Sequence, residues 1–174
     1  LQVVALISAN AKRGDIGSTA TAYAKAMFGV WGFDAITANP YLGGDSLEPF
    51  LENDSKGVFL LCRTSNPGSG DFQTLMADCL PQNRPVYEHV AKVASSWNRH
   101  GMVGLVVGAT YEDDLKNVRQ LCPDVPLLIP GVGAQGGDLE ASVRYGTDQS
   151  GRLAIISSSR SVIYASRQGD STGI

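Results

Sequence analysis

The feature that most constrains the fold of this chain is a rhythm of six short apolar segments, separated by polar loops and helical stretches. Each segment is rich in Val, Ile or Leu and is apolar at consecutive rather than alternate positions. That pattern is typical of parallel strands that are covered on both faces. The predicted strands run from Val3 to Ala9, Asp34 to Ala38, Gly57 to Cys62, Met102 to Ala109, Pro126 to Ile129 and Leu153 to Ser157.

Helical periodicity fills the stretches between these strands. One apolar stripe predicts a helix from Thr19 to Trp31 with a single face in the core; its members are Ala20, Tyr23, Ala24, Met27 and Trp31. A second stripe predicts a helix from Val86 to Trp97 that Gly101 ends. Thr110 is predicted to cap the N-terminus of another helix, because Glu112, Asp113 and Asp114 suit the positive end of that helix. Three shorter helices are predicted over Asp138 to Arg144, Ser46 to Leu51 and Ser161 to Arg167.

The repeated strand-loop-helix order predicts a parallel α/β architecture with right-handed crossovers. Two layouts fit this order, an open doubly wound sheet and a (βα)8 TIM barrel. Nearly every predicted strand ends in a polar or Gly-rich segment, which favours the barrel because a barrel builds its site from all of these loops. At about 31 residues per barrel unit, however, the chain holds only about 5.6 units. We therefore expect an incomplete barrel of about six βα units.

Composition and charge exclude several classes of function. The chain has 174 residues, of which 43% are hydrophobic, and 17 acidic against 14 basic side chains leave a net charge of −3. This argues against disorder, nucleic-acid binding and attachment to an anionic membrane. Three cysteines without a CxxC pair fit a reducing compartment better than a disulfide scaffold or a zinc site. We expect a single cytoplasmic domain over residues 1–174.

The segment after the first predicted strand carries the strongest candidates for chemistry. Lys12 and Asp15 follow this strand, at the end where α/β proteins place their catalytic groups. Nearby carboxylates favour the protonated form of a lysine, so Lys12 would be a cation and a proton donor aimed into a cleft. The alternative is a solvated turn before a helix.

Two further loops suggest phosphate binding. In the Gly-rich loop from Pro130 to Asp138, glycines let the backbone approach a ligand, and the following helix start can hold an anion. Arg160 ends the polar run after the last strand and could grip two phosphate oxygens. Either loop alone could be an ordinary tight turn, but consecutive strands bring both to one edge. The longest irregular segment, from Ser65 to Arg84, is a candidate lid.

Four motifs in register resemble those of the orotidine 5′-phosphate decarboxylase family, over about Val4 to Ala165. They are Asn-Ala-Lys-Arg-Gly-Asp-Ile at 10–16, Thr-Ser-Asn-Pro-Gly at 64–68, Pro-Gly-Val-Gly-Ala-Gln-Gly-Gly-Asp at 130–138 and Ser-Ser-Arg at 158–160. The segments NPYLGGDSLEPFL at 39–51 and VGLVVGAT at 103–110 resemble the bacterial-type branch most.

The resemblance implies a (βα)8 barrel that converts orotidine monophosphate to UMP without a metal or organic cofactor. Lys12 would protonate C6 of the pyrimidine, and a homodimer would form in which Asp15 is lent to the neighbouring site. Thr19 would contact the ribose or the neighbour's ligand. Ser65 would hydrogen-bond the pyrimidine, the Pro130 loop would close over the nucleotide, and Gln135 and Arg160 would hold the phosphate. Fusion to an orotate phosphoribosyltransferase domain also occurs in the family.

Two departures from the family pattern affect this interpretation. Position 10 of the Asp-x-Lys-x-x-Asp signature is Asn10, which removes a negative charge beside Lys12. The signature also belongs after the third strand, so strands 3 to 8 are expected here and the two N-terminal βα units, with an Asp and a Lys of the charged tetrad, are expected upstream. Two alternatives stay open: an impaired or non-catalytic homologue that binds nucleotide phosphates, and a magnesium-dependent sugar-phosphate decarboxylase of the same superfamily.

Overall fold

Six parallel strands form one curled sheet in the computed structural model, which describes residues 8–77, 83–133 and 135–158. The spatial order follows the chain, β1-β2-β3-β6-β7-β8, and every neighbouring pair is parallel. These strands are β1 (Ser8–Arg13), β2 (Ala35–Ala38), β3 (Gly57–Arg63), β6 (Val103–Val107), β7 (Leu127–Pro130) and β8 (Ala154–Ser157). Residues 3–7 of the first predicted strand lie outside the described residues.

The strand order decides between the two predicted layouts. A doubly wound sheet reverses its strand order at a switch point, whereas a barrel adds each new strand beside the last one. Here the order never reverses, so the predicted TIM-barrel architecture is confirmed for six of its strands. Within the described residues, β1 and β8 are the two edges of the sheet.

Helices follow the strands close to the predicted positions. They are α1 (Gly17–Ala24), α2 (Gly44–Leu51), α3 (Val86–Trp97), α4 (Glu112–Leu121) and α5 (Leu139–Gly146). Asp138 caps α5 as predicted, because its carboxylate accepts a hydrogen bond of 2.7 Å from the Ala141 amide. The prediction that Thr110 caps α4 is wrong: the N-cap is Tyr111. The predicted helix at 161–167 lies outside the described residues.

Trp31 corrects the first predicted helix. After α1 the chain continues as a π-helix (Lys25–Val30), and the Trp31 amide donates to the Ala26 carbonyl, five residues earlier. The wider turn rotates later residues away from the stripe that an ideal α-helix would form. Ala20 and Met27 are therefore buried as predicted, whereas Trp31 is 60% exposed.

Both faces of the sheet are apolar, as the continuous apolar runs predicted. Successive residues of a strand point to opposite faces. On β3, Val58 and Leu60 belong to the large core between the sheet and the helices. Phe59, from the same strand, packs with Ala35 and Val106 in a smaller cluster on the other face. That second cluster faces the interior of the curled sheet and leaves the strand ends for polar side chains.

The segment from 65 to 84, predicted as irregular, contains regular structure. A 3₁₀ helix (Pro67–Asp71) follows β3. Two short antiparallel strands come after it, β4 (Met76–Ala77) and β5 (Arg84–Pro85). The loop is therefore tied down at both ends. Residues 78–82 lie outside the described residues.

Arg119 fastens the C-terminal end of α4 to the segments around it. Its guanidinium donates to five carbonyls at 2.6 to 3.1 Å, and these belong to Cys122, Pro123, Val125, Gly146 and Leu153. Burial lowers the pKa of Arg119, but no other side chain could serve so many acceptors, since guanidinium carries five donors in a fixed fork.

Replacing Arg119 with Met is expected to destabilise the protein by about 3 kcal/mol, because several partly buried carbonyls lose their donor. For a chain of this size that corresponds to a melting temperature about 6–12 °C lower. Thermal unfolding followed by circular dichroism measures the change. Arg99, which is 75% exposed and 4.0 Å from Glu48, is the control: Arg99→Met should shift the melting temperature by less than about 2 °C. Equal shifts for both variants would contradict the role of Arg119.

Candidate active site

The predicted site residues gather at the carboxyl ends of the strands, with one exception. Asn10 and Lys12 both lie on β1, with Lys12 next to its last residue, while Ser65 follows β3 and Pro130 ends β7. Parallel strands bring these ends to the same edge of the sheet, which is where barrels bind their ligands. Thr19 instead lies exposed in the first turn of α1. Arg160 lies outside the described residues.

Lys12 has an unusual backbone. Its φ is 48°, in the left-handed region that residues other than glycine seldom adopt. The pairing of β1 with β2 also shifts register between Ala9 and Arg13, so the strand bulges where it carries Lys12. Strained backbone of this kind is concentrated at functional sites. The first strand therefore does not end at Ala9, as predicted, but continues through the candidate catalytic residue.

Thr37 holds this bulge in place, and the sequence reasoning missed it. The Lys12 amide donates to the Thr37 hydroxyl at 2.9 Å, and that hydroxyl donates to Asn10 Oδ1 at 3.1 Å. Thr37 is fully buried at the end of β2. A threonine within the otherwise apolar run from Ala35 to Ala38 was the available signal.

Asp15 forms no ion pair with Lys12 within the described residues. Its Oδ1 accepts a hydrogen bond of 2.8 Å from the Ile16 amide, just before α1. Within the described ranges, Lys12 forms no ion pair shorter than 4 Å, and its side chain is exposed. The described residues alone therefore do not place the Lys12 ammonium between carboxylates.

Ser65 and Gln135 meet although 70 residues separate them. The Ser65 hydroxyl donates to Gln135 Oε1 at 2.6 Å. Two glycines make room for this contact: a Cβ on Gly108 would lie 2.9 Å from that of Ser65, and one on Gly131 would lie 3.0 Å from Gln135 Oε1. Gly131 also has a φ of 97°, which strains any other residue. The predicted pyrimidine and phosphate residues are thus neighbours.

The Gly-rich loop after β7 is folded upon itself. The amides of Gly133, Gly136 and Gly137 donate to carbonyls within the loop, at 2.8 to 3.1 Å. The Asp138 carboxylate occupies the N-terminal turn of α5 through the Ala141 amide. A phosphate at that helix start would meet the like charge of Asp138, so the predicted binding of an anion there is unfavourable. Among the described side chains of this loop, the Gln135 amide can still donate a hydrogen bond to an anion.

Two buried titratable groups near the strands belong to the core, and the two histidines lie on the surface. Burial raises the pKa of the Cys62 thiol, which donates to the Tyr87 carbonyl at 3.2 Å and is no nucleophile. Burial also raises the pKa of Tyr87 to about 12. His89 and His100 are exposed.

One cavity of the described structure lies away from the carboxyl ends of the strands. It has a volume of about 610 Å³ and is lined by α2 and the C-terminal end of α3, with Glu48, Trp97 and His100 among its residues. It lies on the helical surface, so it does not belong to the candidate site. None of the described helices is long and apolar enough to cross a bilayer.

Comparison with known proteins decides the family. The model of the orotidine 5′-phosphate decarboxylase / HUMPS family matches residues 3–171. The chain belongs to this family. Its orotidine 5′-phosphate decarboxylase relative from Dehalococcoides mccartyi is 58% identical over 157 residues, which are 90% of this chain and 58% of that protein. The chain thus spans somewhat more than half the length of the curated relatives that it matches.

Solved structures of the family share the fold. The structure of Leishmania donovani OMP decarboxylase has a TM-score of 0.81 and 45% identity, and the match covers 88% of this chain and 58% of that one. That of Leishmania donovani UMP synthase has a TM-score of 0.82 and 48% identity, covering 88% of this chain and 34% of that one. The predicted resemblance to the family is confirmed, and with it the barrel fold.

Proposed function

We propose that the gene product that carries this chain converts orotidine 5′-monophosphate to UMP, a step of de novo pyrimidine biosynthesis, with Lys12 as the acid. The observation that carries the proposal is the placement of Lys12: left-handed backbone fixed by Thr37, at the edge of the sheet where Ser65 and Gln135 meet. The names of the relatives, at 55% to 58% identity, support the same chemistry.

The proposed reaction breaks the bond between C6 and the carboxylate carbon. Carbon dioxide leaves, and the electron pair stays on C6 as a developing carbanion. The Lys12 ammonium stabilises that charge and then transfers its proton to C6, which leaves the lysine neutral. The bulge of β1 fixes the backbone of Lys12 before the reaction, so no reorganisation is needed when the negative charge develops on C6. This preorganised charge supplies most of the rate enhancement.

The substrate is held by the loops after β3 and β7. Ser65 hydrogen-bonds the pyrimidine, while Gln135 and Arg160 bind the phosphate. The contact between Ser65 and Gln135, at 2.6 Å, supports this assignment because it brings the two ligand-binding loops together. Closure of the Pro130 loop over the phosphate would contribute binding energy to the transition state.

The proposed enzyme needs two further parts, the rest of its barrel and a second protomer. Two further βα units would close the barrel between β8 and β1, the edges of the described sheet, and the greater length of the relatives supports this. A second protomer would receive Asp15, with Thr19 beside the neighbour's ligand, since both lie toward the surface. The setting is the cytoplasm, where Cys62 and Cys122 stay free thiols. The flanking gene sequence would show whether an orotate phosphoribosyltransferase domain is fused to the protein.

Asn10 favours a second candidate, an impaired homologue that binds nucleotides without turning them over. Its amide accepts the hydrogen bond from Thr37 at 3.1 Å, so the position keeps its geometry but lacks the carboxylate charge of the family signature. The two candidates share the binding loops and differ only in the chemistry at β1.

A decarboxylation assay on the intact gene product, together with UMP binding by calorimetry, separates the candidates. We expect UMP binding and turnover of orotidine 5′-monophosphate that a chelator does not reduce. UMP binding without turnover would favour the non-catalytic homologue. Turnover of a sugar phosphate that requires Mg²⁺ would favour the magnesium-dependent decarboxylase, and absence of UMP binding would overturn the proposal.

A further inference from the structure

A buried arginine lies two residues before the residue proposed to contact the pyrimidine. Arg63 is the last residue of β3, is 4% exposed, and is separated from Ser65 only by Thr64. Arginine is almost never so buried unless its charge is paired. No motif in the sequence singled out this residue.

One side of the Arg63 guanidinium is held by the start of α4. Its Nε donates to Asp114 Oδ2 at 2.7 Å. The Tyr111 ring lies against the guanidinium, with 3.7 Å between Cζ and the ring centroid. Asp114 and Tyr111 belong to the segment after β6, so Arg63 links the β3 loop to the next loop along this edge of the sheet.

The other side of the guanidinium holds the Ser65 loop. Nη1 donates to the Ser69 hydroxyl and, at 3.4 Å, to Gln73 Oε1. Gln73 in turn holds Thr64 twice: the Thr64 amide donates to Gln73 Oε1 at 2.9 Å, and Gln73 Nε2 donates to the Thr64 hydroxyl at 2.9 Å. Arg63 therefore fixes both ends of the loop that contains Ser65.

We propose that Arg63 is a positioning residue that sets the Ser65 hydroxyl for nucleotide binding by clamping the 64–73 loop to α4. The proposal rests on the proposed function, because it assumes that Ser65 contacts the nucleotide. Loss of the clamp releases Ser69 and Gln73 from Arg63, so the loop is no longer tied to α4 and Ser65 spends less time against Gln135. The effect on nucleotide affinity is transmitted through Ser65 and disappears when the Ser65 hydroxyl is absent.

A double-mutant cycle of Arg63→Gln and Ser65→Ala on the intact gene product tests this, with UMP as the probe. We expect Arg63→Gln to weaken UMP binding about 10-fold in the wild-type background and no more than about 2-fold in the Ser65→Ala background. Arg119→Met is the matched control, since Arg119 is a hydrogen-bonded arginine at the other end of α4. It should lower the melting temperature yet show no coupling to Ser65→Ala.

Arg63→Lys separates positioning from general stabilisation. Lysine can pair with Asp114 but cannot also donate to Ser69 and Gln73, since it lacks the rigid fork of arginine. It should therefore recover most of the melting temperature that Arg63→Gln loses, and little of the UMP affinity. If affinity and melting temperature recover together, or if Arg63→Gln and Ser65→Ala act additively, the positioning role is overturned.

The wild-type assays keep the two proposals apart. Turnover of orotidine 5′-monophosphate with additive effects of the two variants would refute the clamp and leave the proposed function intact. UMP binding with coupled effects but without turnover would support the clamp and refute the decarboxylase. Failure of the wild-type protein to bind UMP would overturn both.

Discussion

Replacing Lys12 with Ala is expected to lower the turnover of orotidine 5′-monophosphate by at least about 10³-fold, while the affinity for UMP changes by less than about 10-fold. In the proposed mechanism the variant removes both the proton donor and the charge that stabilises the carbanion. Such contributions are worth about 10² to 10⁴ and about 10² to 10³ in rate, respectively. UMP carries no carboxylate, and in the proposed function the loops after β3 and β7 hold it, so its affinity should depend less on this cation. Steady-state decarboxylation and calorimetry measure the two quantities.

Two variants control for charge and for general damage. Lys12→Arg keeps a positive charge but cannot give up a proton, because guanidinium stays protonated in proteins, so turnover should stay low. Lys92→Ala removes an exposed lysine of α3 and should leave turnover unchanged. Retention of turnover within about 10-fold in Lys12→Ala would remove Lys12 from the reaction.

Replacing Asn10 with Asp is expected to raise turnover by about 10²-fold, the size of one preorganised electrostatic contribution. The carboxylate would accept the same hydrogen bond from the Thr37 hydroxyl, so the bulge of β1 is kept. Its negative charge would favour protonated Lys12. It would also repel the substrate carboxylate, and this repulsion is relieved as the carboxylate leaves in the transition state. Steady-state kinetics at a pH near neutrality measure the gain.

Asn53→Asp is the matched control for the added charge. Asn53 lies exposed before β3, and its Oδ1 accepts hydrogen bonds from Ser55, as a carboxylate would. Turnover should not change in this variant. An unchanged or lower rate in Asn10→Asp would mean that the amide is the functional group at position 10, and the impaired-homologue interpretation would lose its support.

The errors made from the sequence share a physical origin. The periodicity predicts Trp31 in the core because an ideal helix places it on the stripe of Ala20, but the π-helix after α1 rotates it to the surface. Residue type predicts Thr110 as a cap, whereas Tyr111 takes that position and the Thr110 hydroxyl is buried with no hydrogen-bond partner among the residues that the structure describes. Local propensity cannot anticipate either result, because packing against the rest of the chain decides which turn forms.

Residue patterns alone predicted a parallel α/β fold with the barrel favoured, the family resemblance, and the strand ends at which the candidate site residues lie. Continuous apolar runs specify parallel strands, and the motifs after them recur in a set order, so both are local properties of the chain. How these residues are held depends instead on contacts between distant parts of the chain. Thr37 supports Lys12 from the next strand, Gln135 reaches Ser65 across 70 residues, and Arg63 joins the Ser65 loop to α4. Such contacts follow from the curl of the sheet, which brings distant loops together and leaves no trace in local residue patterns.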